Sequence, residues 1–117
     1  MSTKYYALPK VNEKERSEMI QSIQQGNIFQ LKSILSREVI IGVGRAGAQF
    51  TFYHHDWRYF EKSEESLKAF LQNSYISDEY ENESTFQAFW EKVEYSKNGR
   101  AFGDEIFSGL VFSNGSP

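Results

Sequence analysis

Hydrophobic residues recur at helical spacing in the second half of the chain. The clearest stretch places apolar side chains at positions i, i+3, i+4 and i+7, namely Phe86, Phe89, Trp90 and Val93. This spacing puts four large apolar groups on one face of a helix, so we expect that face to be buried. The helix is expected to begin at Glu83 or Ser84, with Gly99 as its stop.

Three further helices are predicted from caps and apolar stripes. Asn12 and Glu15 have the spacing of a capping box, and Gly26 favours a left-handed stop, so residues 13 to 25 should form a helix lying on the surface. Asn27 can cap a short helix with one apolar face, made by Ile28, Leu31, Ile34 and Leu35. Ser63 is the candidate cap of another, whose buried stripe would be Leu67, Phe70 and Leu71.

Two stretches between these helices have the pattern of strands. The first, from residue 39 to 43, is rich in β-branched residues, and the second, from 48 to 55, alternates with Phe50, Phe52 and His54 on one face. The residues between them are turn formers, so an antiparallel hairpin is the simplest connection. Shorter strands are expected at 75 to 77 and near 106 to 112.

The order of these elements indicates the fold class. Strands and helices are interspersed around a hairpin rather than alternating regularly, which is typical of an α+β fold. We expect a small antiparallel sheet built on the central hairpin, with three or four packed helices. A chain of 117 residues without an internal linker fits a single domain spanning residues 1 to 117.

Composition and charge remove several function classes. The net charge of −3 gives no general attraction to phosphate backbones, which disfavours generic nucleic-acid binding. With no cysteine, thiolate chemistry and cysteine-ligated zinc are excluded. No apolar run approaches the length of a membrane span or a leader, so we expect a cytoplasmic protein that does not contact membranes. No cofactor is predicted.

The segment from Gly42 to Gly47 matches the pattern G-x-G-x-x-G. In a dinucleotide-binding fold the third glycine opens a helix, whereas here a strand pattern follows, so we interpret the segment as a glycine-permitted hairpin. A second interpretation remains open. Backbone N–H groups of the turn, together with the Arg45 side chain, can hold a phosphate, and this ligand site would consist of Gly44, Arg45, Ala46 and Gly47.

Histidines occur at one place only, in the sequence His54-His55-Asp56. Neighbouring residues on a strand point to opposite faces, so the two imidazoles cannot chelate one ion together while the strand continues. We expect packing at the strand end, with Asp56 capping the next turn. A catalytic or metal role for the three stays open as the alternative, and no metal site is predicted.

An acidic run and an aromatic cluster are candidates for partner binding. Four carboxylates occur within six residues, without a basic residue among them: Asp78, Glu79, Glu81 and Glu83. Such a run is usually a solvated loop, but it can also contact a basic partner. The rings of residues 57–60 are expected to pack in the core with an arginine stacked on one of them. Alternatively, Trp57, Tyr59 or Tyr80 supplies affinity beside the acidic run, because Tyr, Trp and Arg are enriched at binding hot spots.

Several segments resemble small uncharacterised proteins of bacteriophages and prophages. Residues 43 to 52 resemble their Ile-Gly-Lys-Ser-Ser-Ala-Gly-Trp-x-Phe motif, although Gln49 and Phe50 stand where the motif has glycine and tryptophan. The resemblance extends to the opening Tyr5-Tyr6, to the segments 76–80 and 89–94, and to the closing segment 112–115. It implies a mobile-element setting in a bacterial host and no particular mechanism.

Two functions are therefore predicted as alternatives. The first is a non-catalytic phage-type accessory protein that binds a host protein, acting as an inhibitor of a host or defence factor. This follows from the absence of an assembled catalytic group, from the acidic run and from the surplus of rings. The second is a module that binds or sequesters a small nucleotide at the glycine-rich turn.

Overall fold

The computed structural model describes residues 2–53 and 63–113. Within these ranges there are seven strands: β1 (Ser2–Pro9), β2 (Val39–Arg45), β3 (Thr51–Tyr53), β4 (Ser74–Asp78), β5 (Glu83–Ser84), β6 (Glu105–Phe107) and β7 (Leu110–Ser113). The helices of the same ranges are α1 (Glu13–Gln24), α2 (Phe29–Leu35), α3 (Glu64–Gln72) and α4 (Phe86–Ser96).

All seven strands join one sheet in the order β5-β4-β1-β2-β3-β7-β6. Neighbouring strands are antiparallel except β3 and β7, which pair in parallel. The α+β class is confirmed, but the expected small antiparallel sheet is wrong in two respects. The sheet is larger than a hairpin-based one, and it is mixed.

Strand β1 is not among the strands predicted from the sequence. β1 pairs with β2 on one side and with β4 on the other, so it lies inside the sheet. Tyr5 and Ala7 alternate with less buried neighbours, as the side chains of a strand covered on one face should. The alternation covers too few residues to be recognised without the partner strands.

The predicted caps of α1 and α3 are confirmed. Asn12 Oδ1 accepts a hydrogen bond from Glu15 N at 2.8 Å, and Glu15 Oε1 accepts from Asn12 N at 3.2 Å, which is a complete capping box. The helix has no buried residue and is followed by Gly26 at φ +74°, so it is the expected surface helix. In α3, Ser63 Oγ accepts from Ser66 N at 3.1 Å.

Helix α4 begins at Phe86, two or three residues later than predicted. Thr85 is the N-cap, and its hydroxyl accepts a hydrogen bond from Ala88 N at 3.1 Å. Glu83 and Ser84, expected to begin the helix, instead pair with β4 as strand β5. The apolar stripe itself is confirmed, since Phe89, Trp90 and Val93 are buried and Phe86 packs against the core.

The predicted hairpin of β2 and β3 exists, with Gly42 opposite Phe52 and Val43 opposite Thr51. Its turn is shorter than expected, because Gly44 and Arg45 continue β2 and pair with β1. The bend itself consists of Ala46 and Gly47. A strand and not a helix follows it, which agrees with the rejection of a dinucleotide-binding motif.

Large rings form the centre of the core, which α3 and α4 complete. Phe52, Phe89 and Phe112 are fully buried. The ring of Phe50 lies 5.2 Å from that of Phe89 and 4.8 Å from that of Phe52, both centroid to centroid. These distances are typical of favourable tilted and edge-to-face ring pairs.

Candidate functional site

A cavity of about 520 Å³ opens beside the turn between β2 and β3. All four residues of the predicted ligand site line it: Gly44, Arg45, Ala46 and Gly47. The opposite wall is the C-terminal half of α4 and the residues that follow it, and the floor is made by rings of the core. We call this cavity the turn pocket.

Hydrogen bonds hold the two walls of the turn pocket together. The Arg100 N–H donates to Gly47 O at 3.0 Å, and the Gln49 N–H donates to Arg100 O at 2.8 Å. The Gln49 side-chain amide adds a bond to Gly99 O at 3.3 Å. The segment after α4 is thereby fixed to the segment after the turn, so the pocket is held in shape without a ligand.

The side chain of Ser96 makes the hydrogen bond that links α4 to Phe50, the residue before β3. Its Oγ accepts from the Phe50 N–H at 2.9 Å and donates to Val93 O at 2.7 Å. Phe50 is only 5% exposed, so its N–H depends on this hydroxyl for a partner. The hydroxyl therefore stabilises the pocket wall, and its hydrogen atom is already used in the bond to Val93 O.

Gly99 lets the two walls approach closely. A Cβ at this position would lie 2.8 Å from Ala48 Cα and 2.8 Å from Gly47 O, and 2.7 Å from Ala48 C. Real Cβ atoms essentially never come so close to backbone atoms. Any larger residue would separate the walls, so this glycine is needed for contact with the turn.

Two N–H groups of the turn have no acceptor in the described part of the chain. Ala48 N donates to Arg45 O at 3.2 Å and closes the turn, while Gly47 adopts φ +75°, which favours glycine. Within residues 2–53 and 63–113, the Ala46 and Gly47 N–H groups donate to no carbonyl or side chain. Both residues line the turn pocket.

Aromatic rings form the floor and one rim of the pocket. Tyr5, Phe50 and Phe89 are buried and mutually in contact, with centroid distances of 5.6 Å between Tyr5 and Phe50 and 5.3 Å between Tyr5 and Phe89. Tyr95 also lines the pocket, and it is 84% exposed. An exposed ring beside a cavity offers a flat apolar surface to a planar ligand.

The charge of the pocket is opposite to the charge of the chain. Arg45 and Lys92 line it, whereas no described lining residue is an aspartate or glutamate. The Lys92 ammonium lies 5.8 Å from the centre of the Tyr5 ring, which holds this cation over the pocket floor. The whole chain has a net charge of −3, so the excess of cations in the pocket does not reflect the average charge of the protein.

Sequence reasoning missed the α4 half of the pocket. Lys92, Ser96 and Gly99 recur at i, i+4 and i+7, so they lie along one side of the predicted helix and its end. This spacing is a signal in the sequence that could have grouped the three residues on one side of the helix. Its position opposite the turn, about half the chain away, could not be inferred from spacing.

The acidic run is more ordered than a solvated loop. Asp78 Oδ1 accepts from the N–H groups of Tyr80 at 2.8 Å and Asn82 at 2.9 Å, and Asp78 Oδ2 accepts from Asn82 Nδ2 at 3.0 Å. The Asn82 backbone hydrogen bond is the main reason that the pKa of Asp78 is lowered from its ordinary value. This carboxylate therefore stabilises its own turn.

The other three carboxylates of the run differ in their roles. Glu79 Oε1 accepts from Lys4 N at 3.0 Å, which ties the run to β1. Glu81 is exposed and adopts φ +65° in the turn, while Glu83 is an exposed residue of β5. Tyr80 is 59% exposed. The exposed carboxylates of the run are therefore Glu79, Glu81 and Glu83, and the exposed Tyr80 lies among them.

Several predicted residues lie outside the described part of the chain. These are His54, His55, Asp56, Trp57 and Tyr59, so the structure assigns them neither a metal role nor a place beside the acidic run. Among the described residues, no three His, Asp or Glu side chains gather in a way that could hold a metal ion. No helix in the same ranges combines the length and apolarity needed to cross a bilayer.

Comparison with family models, with curated proteins and with solved structures found no match to this chain.

Proposed function

We propose that this protein binds or sequesters a small anionic ligand of the nucleotide type in the turn pocket. The observation that carries the proposal is the charge of the lining: two cations and no carboxylate among the described lining residues of a chain whose net charge is negative. Arginine side chains and unpaired backbone N–H groups of turns are common phosphate-binding groups.

The size and the floor of the pocket support a ligand with a planar ring. Pockets for cofactors and small molecules usually enclose about 300 to 1,000 Å³ and are lined mainly by apolar and aromatic side chains. The turn pocket has 520 Å³ and is lined by Tyr5, Phe50, Phe89 and Tyr95. A nucleotide joins a flat base to a phosphate and so matches both the rings and the cations.

The same lining argues for binding rather than catalysis. Its described residues contain no histidine, aspartate or glutamate, which are the usual general bases, and the Ser96 hydroxyl donates to the helix. A nucleophile would need an activating base beside it. We therefore assign the pocket a binding or sequestering role.

A thermal-shift panel of nucleoside mono-, di- and triphosphates and signalling dinucleotides tests the proposal. A ligand at 100 times its Kd should stabilise the fold by about 2.7 kcal/mol, which raises Tm by several degrees. Arg45→Ala and Lys92→Ala should each weaken this shift. Lys14→Ala, an exposed cation on α1 outside the pocket, should leave it unchanged.

A flat panel with the wild-type protein would refute nucleotide binding. A shift that survives both pocket substitutions would place the ligand elsewhere on the protein. Inorganic phosphate at the same concentration is the control for the contribution of the nucleotide base. It should produce a smaller shift, because it cannot use the apolar floor.

The exposed part of the acidic run supports a second candidate function, that of a phage-type inhibitor bound to a host protein. Tyr80 is exposed between Glu79 and Glu81, on a turn that Asp78 holds in shape. An ordered aromatic ring flanked by carboxylates is suited to a basic partner, since charge sets the encounter and the ring supplies affinity.

Quantitative capture from a bacterial lysate tests this candidate. Glu81→Lys combined with Glu83→Lys should release a specific partner at moderate salt, and Tyr80→Ala should release the same partner. Gln24→Ala, an exposed change on α1, should release nothing. If all variants captured the same proteins, partner binding by the acidic run would be refuted and its role would be structural only.

A further inference from the structure

A second cavity lies next to the turn pocket. It has a volume of about 440 Å³, and its described lining residues are Ser2, Arg45, Ala46, Ala48 and Phe102. We call it the side cavity. Arg45, Ala46 and Ala48 also line the turn pocket, so the two cavities share the turn as a common wall. A ligand bound at this wall therefore has two cavities within reach.

Arg45 is the cation that both cavities share. It is an exposed residue at the end of β2, and no carboxylate of residues 2–53 and 63–113 pairs with it. A guanidinium binds a phosphate through two parallel N–H bonds. A phosphate held here lies where the cavities meet. A phosphodiester carries a substituent on each of two oxygens, so one substituent can enter each cavity, whereas a phosphomonoester has only one to place.

Each cavity is lined by an exposed aromatic ring. Tyr95 is the exposed ring of the turn pocket, and Phe102, which is 55% exposed, belongs to the side cavity. The Arg100 guanidinium carbon lies 5.7 Å from the centre of the Phe102 ring, a cation–π contact that helps to orient the ring and adds positive charge beside it. Exposed rings next to cations are the usual platforms on which nucleic-acid bases stack.

Backbone hydrogen bonds fix the segment that carries Phe102. On one side, the Arg100 N–H donates to Gly47 O and the Arg100 carbonyl accepts from the Gln49 N–H. On the other side, the Asp104 N–H donates to Phe112 O at 2.8 Å. Phe102 lies between these two anchors, so the side cavity keeps its position relative to the turn without a ligand.

We infer that the two cavities together bind a dinucleotide, with its phosphodiester at Arg45, one base on Tyr95 in the turn pocket and the other on Phe102 in the side cavity. This inference rests on the proposed function and names the class of nucleotide. The described lining of the side cavity offers one ring and no cation other than the shared Arg45. It therefore suits a second base better than a second phosphate.

The experiment is isothermal titration calorimetry with two matched ligands. One is ApA, in which two adenosines are joined by a 3′,5′-phosphodiester, and the other is the methyl ester of adenosine 3′-monophosphate. Both carry one singly charged phosphodiester and differ only in the second nucleoside. ApA should bind about 5- to 150-fold more tightly, the value of stacking one base on an aromatic ring. The ratio of the two affinities is the readout, because it cancels any general change in binding.

Substitution of each ring assigns the two bases. Phe102→Ala should bring the ratio close to one without changing the affinity for the methyl ester, and Phe102→Trp, which keeps a ring, should preserve the ratio. Tyr95→Ala should weaken both ligands. Phe29→Ala is the matched control, because Phe29 is an exposed ring on α2 that lines neither cavity, and it should change neither affinity.

The outcomes separate the inference from the function on which it rests. Equal affinity for ApA and the methyl ester, or a thermal shift with mononucleotides but no binding of ApA, would overturn the dinucleotide site while leaving nucleotide binding intact. A ratio that survives Phe102→Ala would overturn the placement of the second base in the side cavity. Absence of heat with both ligands and of thermal shift with every nucleotide of the panel would overturn the inference together with the proposed function.

Discussion

Replacing Ser96 with alanine tests how the turn pocket is held together. The change removes the acceptor of the Phe50 N–H, whose bond to Ser96 Oγ is 2.9 Å long, and Phe50 is 5% exposed. Leaving a buried donor unsatisfied costs about 1 to 3 kcal/mol. Alanine is the better helix former by about 0.5 kcal/mol, which offsets part of that loss. We expect the free energy of unfolding to fall by about 0.5 to 2.5 kcal/mol, the difference of these two effects.

Urea denaturation followed by tryptophan fluorescence measures this loss, since Trp90 is a core residue of the same helix. Ser17→Ala is the matched control, because it makes the same substitution at an exposed position of α1 and should be neutral or slightly stabilising. Hydrogen exchange adds a local readout, and the Phe50 amide should exchange faster in Ser96→Ala. Equal stability of the two variants, with unchanged exchange at Phe50, would refute this account of the pocket wall.

Three further predictions concern the core, the pocket wall and the acidic run. Phe89→Ala should cost about 3 to 5 kcal/mol in a denaturation experiment, as for buried aromatics generally, and a loss below about 1 kcal/mol would mean that this face of α4 is not core. Gly99→Ala should destabilise the fold more than Gly44→Ala. A Cβ at position 99 would lie 2.7 Å from the Ala48 backbone, whereas one at position 44 would meet only ring atoms at 3.6 Å. Equal losses of unfolding free energy would contradict the close approach of Gly99 to the turn. Asp78 should titrate below its ordinary pKa of 3.8, as followed by carboxyl NMR, because its hydrogen bonds from Asn82 and Tyr80 favour the charged form. Its contribution to stability is therefore present above 3.8 and lost as the pH falls below that value, and Asp78→Asn should remove this part of the acid sensitivity; a pKa at or above 3.8 would argue against the capped turn.

The existence of the helices and the caps of α1 and α3 follow from local sequence. Asn12 and Glu15 cap α1 through atoms only three residues apart, and Ser63 does the same for α3. The buried stripe of α4 depends only on the helical repeat. These elements could be predicted because the groups that stabilise or orient them are close neighbours in the chain.

The sheet was predicted less well, because a strand obtains its hydrogen bonds from distant residues. β1 is covered by β2 and β4, whose residues lie more than 30 positions further along the chain. The parallel pairing of β3 with β7 joins residues 51–53 to 111–113, and no local pattern encodes that choice. The length of the sheet and the direction of its pairs therefore belong to the tertiary structure.

The candidate site likewise has one part that local sequence predicts and another that depends on tertiary packing. A turn between two strands was predictable from turn formers between two strand patterns, although Gly44 and Arg45 belong to β2 and the turn is Ala46 and Gly47. The position of Ser96 and Gly99 opposite that turn depends on tertiary packing, since the Arg100 hydrogen bonds that join the walls span about half the chain. A pocket is the space between segments that packing brings together, so its floor, its charge and its polarity exist only after the chain has folded.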